Sequence, residues 1–320
     1  MTPRSVFTWV LATLFAGAAC GSQGRSATPG TDSTVLAARE ARLEAAVSQA
    51  DTGPIARWIL PAQLNEISGV ALTTDGRILT HGDQRGAVFA IDYRRGVVVK
   101  EFALGTPKIA HDDFEAITIV GDTVILLAST GKLYMFKEGA NESRVAYTVH
   151  DTGLGTECEF EGMTFDPATR ALLLACKVVK TPTLKGAVVI FRWKLGSERG
   201  APASKLTVPL SQVAESKEWG GFHPSDITIN PLNGNYVIIA GRQKAMLEIT
   251  PNGKVVLARL IPGEHPQPEG IAITRDSILI ISDEWVEPSK KKAAGGSLKL
   301  GPAVITLYRW PLAPVQQGTP

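Results

Sequence analysis

The chain is 320 residues long, 44% hydrophobic and 20% charged, with 31 glycines, 20 prolines and a net charge of +2. Its apolar content excludes a disordered chain, and its glycine and proline share excludes a collagen-like repeat. The near-neutral balance argues against a nucleic-acid partner, and 3 cysteines are too few for a disulfide scaffold or a four-cysteine zinc module.

Residues 1–19 read as a signal peptide. Arg4 is followed by the uncharged apolar run Val6–Ala16, then by small Gly17, Ala18 and Ala19, and then by Cys20. Such a run is too short to span a bilayer as a stable helix, and small residues before a cut site mark secretion. A cysteine directly after them is the bacterial lipobox pattern, in which Cys20 is acylated and becomes the first mature residue. Gly21 in place of Asp points to the outer membrane, facing the periplasm. Residues 20–54 then form a tether: a Gly/Ser-rich stretch over 21–33, and helix formers over 35–49 that Ser33 or Thr34 would cap.

From residue 55 onward the pattern is that of an all-β protein, with short β-branched runs between Gly, Asp and Asn turns. It repeats. Five segments share one shape: SGVAL from Ser68, EAITI from Glu115, EGMTF from Glu161, SDITI from Ser225 and EGIAI from Glu269, spaced 47, 46, 64 and 44 residues apart. A tight turn and a very apolar strand follow each, then a third run. The first four units close with a fourth run, VVKEFAL, RVAYTVH, SKLTVPL and VVLARLI. The last unit lacks this fourth strand, and IARWIL over 55–60 stands unpaired before the first. The expectation is a five-bladed β-propeller of four-stranded blades over 55–312, with the N-terminal strand joining the last blade and residues 313–320 as a tail.

The repeated anchors, the stretches FEGMTFDPATRALLLACK and PSDITINPLNGNYVIIAG, and the closing QPEGIAI and LYRW resemble the SdiA-regulated, YjiK-like propeller family, itself distantly similar to proteins with NHL repeats. The resemblance covers about residues 60–312. It implies a five-bladed propeller, a bound calcium ion and no established catalytic activity.

Polar side chains gather in the loops just before the anchors and in those joining second to third strands, on what we term the top face. Ser68, Asp83, His111, Lys177, His223, Arg242, His265 and Asp283 are the ligand candidates there. The opposite loops contain little beyond turn-forming residues. Glu115, Glu161 and Glu269 occupy equivalent anchor positions. Brought to one channel mouth, they would raise one another's pKa or require a cation. Calcium, which takes six to eight oxygen ligands, suits such a set. Simple capping of the inner strands by the same residues is the other reading. The resemblance favours calcium at Glu115, Glu161 and Glu269, with Asp113 and Asp226 as further ligands.

Zinc is disfavoured by the absence of HxH and HExxH, and acyl-transfer chemistry by the absence of GxSxG. Cys158 precedes an inner strand and Cys176 ends the next, so a disulfide between them is plausible in an exported protein. Trp193 and Trp310 look like packing between blades, whereas Trp219 and Trp285 stand in top loops. The functional expectation is a membrane-anchored binding module for a small ligand or an envelope protein. The alternative is a calcium-dependent hydrolase of lactones or phosphoesters, with Asp113, His111 or Asp283 as base.

Overall fold

The computed structural model describes residues 33–48, 53–213, 216–284 and 302–312. The expected signal peptide, Cys20, Trp285 and the 313–320 tail lie outside the described residues. Within them the chain forms a ring of five antiparallel sheets, a five-bladed β-propeller.

Each blade takes its inner strand from one anchor segment: Ile67–Leu72, Phe114–Val120, Cys158–Asp166, Asp226–Ile229 and Pro268–Ile273. These inner strands touch in cyclic order, the last against the first. The second strands are buried along nearly their whole length, as in Tyr236–Ala240 and Ile278–Asp283. Both faces of a blade pack on neighbours, so these strands are continuous apolar runs rather than alternating ones. One apolar cluster fills each of the five blade interfaces. Trp193 and Trp310 belong to two of them, as their positions at the ends of third strands led us to expect.

Closure follows the sequence expectation. Ala56–Ile59 pairs antiparallel with Val304–Arg309, giving the last blade its fourth strand. Leu60 N–H continues the pairing by donating to Ala303 O at 2.9 Å. Trp58 then reaches the first blade, its indole N–H donating to Tyr93 O at 2.7 Å.

The RVAYTVH run does not form one strand. Arg144–Val145 pairs in parallel with the outer strand Val97–Leu104 of blade 1, and only Tyr147–Asp151 joins blade 2. The preceding turn is stitched to blade 1 first: Asn141 Oδ1 accepts from Glu101 N at 2.9 Å, and Ser143 O from Ala103 N at 3.0 Å. The strand therefore changes partner at Ala146.

Ahead of the propeller lies a helix, Ser33–Ser48. It rests at the rim between blades 5 and 1. Glu40 pairs with Arg95 at 2.8 Å, and the Arg39 guanidinium stacks 5.2 Å from the Trp58 ring centroid. No helix among the described residues is long and apolar enough to cross a membrane.

Candidate functional site at the channel mouth

Three of the five anchors sit on β-bulges. Glu115, Glu161 and Glu269 each have no cross-strand partner, because the register slips between Phe114 and Ala116, between Phe160 and Gly162, and between Pro268 and Gly270. A similar slip between Ile67 and Val70 takes in Ser68. A bulge re-aims a side chain that the pleat would otherwise direct into the sheet packing. The residue after the anchor then passes close to the next blade. A Cβ on Gly162 would lie 2.7 Å from Asp226 Cα, and one on Gly69 would lie 2.9 Å from Ala116 Cα. Small residues follow the anchors because the inner strands cross there.

The three carboxylates share one electrostatic environment. Burial, then Glu161 and Asp113, push Glu115 up to about 9. Burial pushes Glu161 up to about 7, against the pull of Lys177. Burial and the charge of Glu161 push Glu269 up to about 7 as well. Lys177 is the counter-ion: its Nζ donates to Glu161 Oε1 at 2.5 Å. Burial works against the Lys177 charge, but Glu161, Glu115 and Glu269 hold its pKa above the ordinary value. Glu161 is only 4% exposed, and its second oxygen has no hydrogen-bond partner.

Acidic residues beyond the anchors extend this mouth. Asp83 raises the pKa of Glu66, and burial followed by Glu269 and Asp83 raises Glu284 to about 7. Glu159 adds charge beside Glu161. Sequence reasoning missed Glu66 and Glu159. Each stands two residues before an anchor, Glu159 in an inner strand and Glu66 in the turn ahead of one.

Asp226 occupies the position after the blade 4 anchor, where other blades have Gly or Ala. Its carboxylate accepts from Ile227 N at 2.8 Å and from Ile271 N at 2.9 Å. Burial still pushes its pKa well above the ordinary value. It ties blade 4 to blade 5, and its oxygens are already engaged.

The remaining predicted residues divide. Lys177, His223, Arg242 and Ser225 line a cavity of about 400 Å³ between blades 3, 4 and 5, together with Glu161, Glu269, Lys244 and Gln267. His265 and Asp283 are not in it. They are buried and bonded to each other, Nδ1 to Oδ2 at 2.6 Å, and His265 Nε2 lies 2.8 Å from the Tyr308 hydroxyl. A carboxylate held this way is withdrawn from the role of solvent-facing base. His111 is exposed, and its backbone bridges to Arg85. Trp219 packs on Phe222, ring centroids 6.2 Å apart, rather than standing free. Cys158 and Cys176 are joined, their Cα atoms 5.7 Å apart.

The mouth could hold a hard cation by the chemistry of its donors: carboxylates from three blades, a serine hydroxyl, a carboxamide and the orphaned oxygens of Glu161 and Asp83. Among the described residues, no three His, Cys, Asp or Glu side chains already stand at chelating distance. Lys177 takes up part of the negative charge instead.

No family model matches this chain, and no curated protein matches it. Solved structures do. Glutaminyl cyclase from Myxococcus xanthus superposes with a TM-score of 0.51 at 12% identity, covering 80% of this chain and 95% of that one. A luciferin-regenerating enzyme superposes with a TM-score of 0.50 at 9% identity, covering 79% and 95%. At these identities the likeness is one of fold alone. Fold and site together define a β-propeller with an acidic channel mouth.

Proposed function

We propose that this chain is an extracytoplasmic, membrane-tethered binding module of the SdiA-regulated kind, which takes calcium at its channel mouth and a small ligand beside it. The observation that carries the reading is the second oxygen of Glu161: buried, unpaired and flanked by Glu115 and Glu269. A buried carboxylate without a donor is costly, and a divalent cation relieves it while neutralising its neighbours. Glu115, Glu161 and Glu269 would hold the ion, with Asp113 nearby. Asp226, bound to backbone N–H groups, belongs to the frame. Calcium would supply charge neutralisation and an electrophilic centre at the mouth.

Tethering rests on the leader and Cys20. It is tested by radiolabelled palmitate, which should be incorporated by the natural chain and lost in Cys20→Ala. Calcium binding is tested by calorimetry on the full-length chain in detergent. We expect heat of binding for the natural protein, its loss in Glu161→Gln, and a lower melting temperature in EDTA. No heat, together with no effect of EDTA, would remove calcium from the proposal.

A further inference from the structure

We propose that the cavity between blades 3, 4 and 5 binds a zwitterionic small molecule, with its ammonium end at Glu161 and Glu269 and its carboxylate end at Arg242 and Lys244. This rests on the reading of the top mouth as a ligand site, and it names the ligand's chemical class.

The cavity has two electrical ends. At its deep end lie Glu161 and Glu269. Glu161 is nine-tenths or more buried, with a side-chain exposure of 5%; it already spends one oxygen on Lys177 and presents the other with no donor. The floor thus sets two carboxyl groups against a single ammonium, with acceptor oxygens in excess of donors. At the outer end stand Arg242 and Lys244, both exposed, and neither makes an ion pair or side-chain hydrogen bond with a described residue. They are carried by the tight turn from Gly241, in which Lys244 N donates to Gly241 O at 3.1 Å and Lys244 adopts a φ of 52°. That turn holds two cations at the rim. The rest of the lining is Val178, His223, Ser225, Gly241, Pro266 and Gln267.

A ligand with one charge meets an opposing end. A simple amine must pass the cationic rim, and a simple carboxylate is repelled by the floor. A molecule carrying both charges meets a complementary partner at each end, and charge-assisted hydrogen bonds are the strong ones. A volume of about 400 Å³ lies in the range of small-molecule sites, roughly 300–1,000 Å³. The floor is also held in place. Cys176, joined to Cys158, directly precedes Lys177, and His223 Nδ1 lies 3.2 Å from Lys177 O.

The test is calorimetry on the full-length chain in detergent and EDTA, with unbranched ω-amino acids from glycine to 8-aminooctanoate. Hexylamine and hexanoate are the single-charge controls. One chain length should bind at least tenfold more tightly than either control. The double variant Arg242→Ala/Lys244→Ala should lower that affinity at least tenfold and should not weaken the binding of hexylamine. Glu161→Gln should remove the gain contributed by the amine, and Glu269→Gln provides the same reading should Glu161→Gln fail to fold. Hexylamine or hexanoate binding as tightly as the best amino acid would overturn the proposal, as would no binding by any of the series. A calcium titration run alongside separates the two readings. Calcium heat without amino-acid binding sinks only this proposal, and amino-acid binding without calcium heat sinks only the calcium.

Discussion

Lys177 Nζ stands 2.5 Å from Glu161 Oε1, and no donor reaches the other Glu161 oxygen. The pair joins the end of the second strand of blade 3 to the anchor of its own inner strand. One cation is thus set among carboxylates from three blades. Lys177 acts as an internal counter-ion, and any external cation competes with it for Glu161.

Lys177→Met should therefore cost more stability without calcium than with it. In EDTA the variant loses about 1–2 kcal/mol of stability, less than for a wholly buried pair because Lys177 is 40% exposed. With calcium the loss shrinks, since the ion takes over the neutralising role, and the rise in melting temperature on adding calcium becomes larger than in the natural protein. Differential scanning calorimetry in both conditions is the measurement. An equal calcium-induced rise in the two proteins would mean that Lys177 does not compete for the site.

The same carboxylates make stability depend on pH. Burial raises Glu161 and Glu269 to about 7 in the folded protein and Glu115 to about 9, all above the ordinary glutamate value of 4.5 that applies to the unfolded chain. The folded state therefore binds more protons than the unfolded state between these values. Stability must fall as pH rises from about 4.5 through 7, and for Glu115 on toward 9. Glu284, also near 7, acts in the same sense. In EDTA the melting temperature should be several degrees higher at pH 5.5 than at pH 8.5, and Glu115→Gln/Glu161→Gln should flatten the dependence. A melting temperature that rises with pH over this range would contradict the electrostatic picture of the mouth.

Much of this was visible in the sequence, because a propeller writes its geometry as a repeat. The five anchors, the apolar second strands and the orphan strand at 55–60 each have a direct physical correlate: an inner strand, a strand buried on both faces, and an unfilled sheet edge. The bulges too are legible in the sequence. Buried apolar residues stand three apart across each anchor, as in Phe160 and Met163 or Phe114 and Ile117, where regular alternation would set them two apart. The pairing of His265 with Asp283 was not legible. It depends on how the top loop after blade 4 folds against the end of a strand 18 residues away, and residue type alone cannot distinguish a buried pair from two exposed ligand groups. The split of the RVAYTVH run was hidden for a similar reason, since Asn141 and Ser143 choose the neighbouring blade through single hydrogen bonds.

Gly162 tests the inner-strand crossing. Its φ is not in the left-handed region, so the constraint there is space, and a Cβ would lie 2.7 Å from Asp226 Cα and 2.9 Å from Asp226 C. Backbone atoms cannot rotate away as a side chain can. Gly162→Ala should cost about 2–3 kcal/mol in urea denaturation, the upper range for overpacking, and should weaken ligand binding because it displaces Glu161. A loss below about 0.5 kcal/mol, the scale of an ordinary surface substitution, would mean that the crossing is loose.

The disulfide should matter chiefly through the unfolded chain. It joins residues 18 apart in sequence, and a loop of that size corresponds to roughly 3 kcal/mol in the chain-entropy model. Cys158→Ala/Cys176→Ala should lower stability by about that amount, and reducing agent should have no further effect on the variant. Thiol labelling of the natural protein under denaturing, non-reducing conditions should find neither cysteine free. Finding both free would remove the bond from the account.

Ring closure gives the sharpest contrast. Val304, Ile305 and Leu307 are buried in the strand that pairs with Ala56–Ile59, and Trp58 carries the N-terminal strand's contacts on to Tyr93 in blade 1. The ring around Trp58 is also tightly enclosed: a Cβ on Gly96 would lie 2.4 Å from the indole. Removing residues 1–32 leaves all of this in place, so the shortened chain should unfold at the same urea midpoint as the full-length protein. Removing residues 1–60 strips the outer strand from blade 5, exposing the edge of Val304–Arg309 and the seam with blade 1. That chain should lose cooperative unfolding or aggregate through its open edge. A peptide of residues 53–61 added in trans should restore a cooperative transition by supplying the missing strand. If the chain lacking residues 1–60 melts at the natural midpoint, closure by the N-terminal strand contributes nothing to the ring.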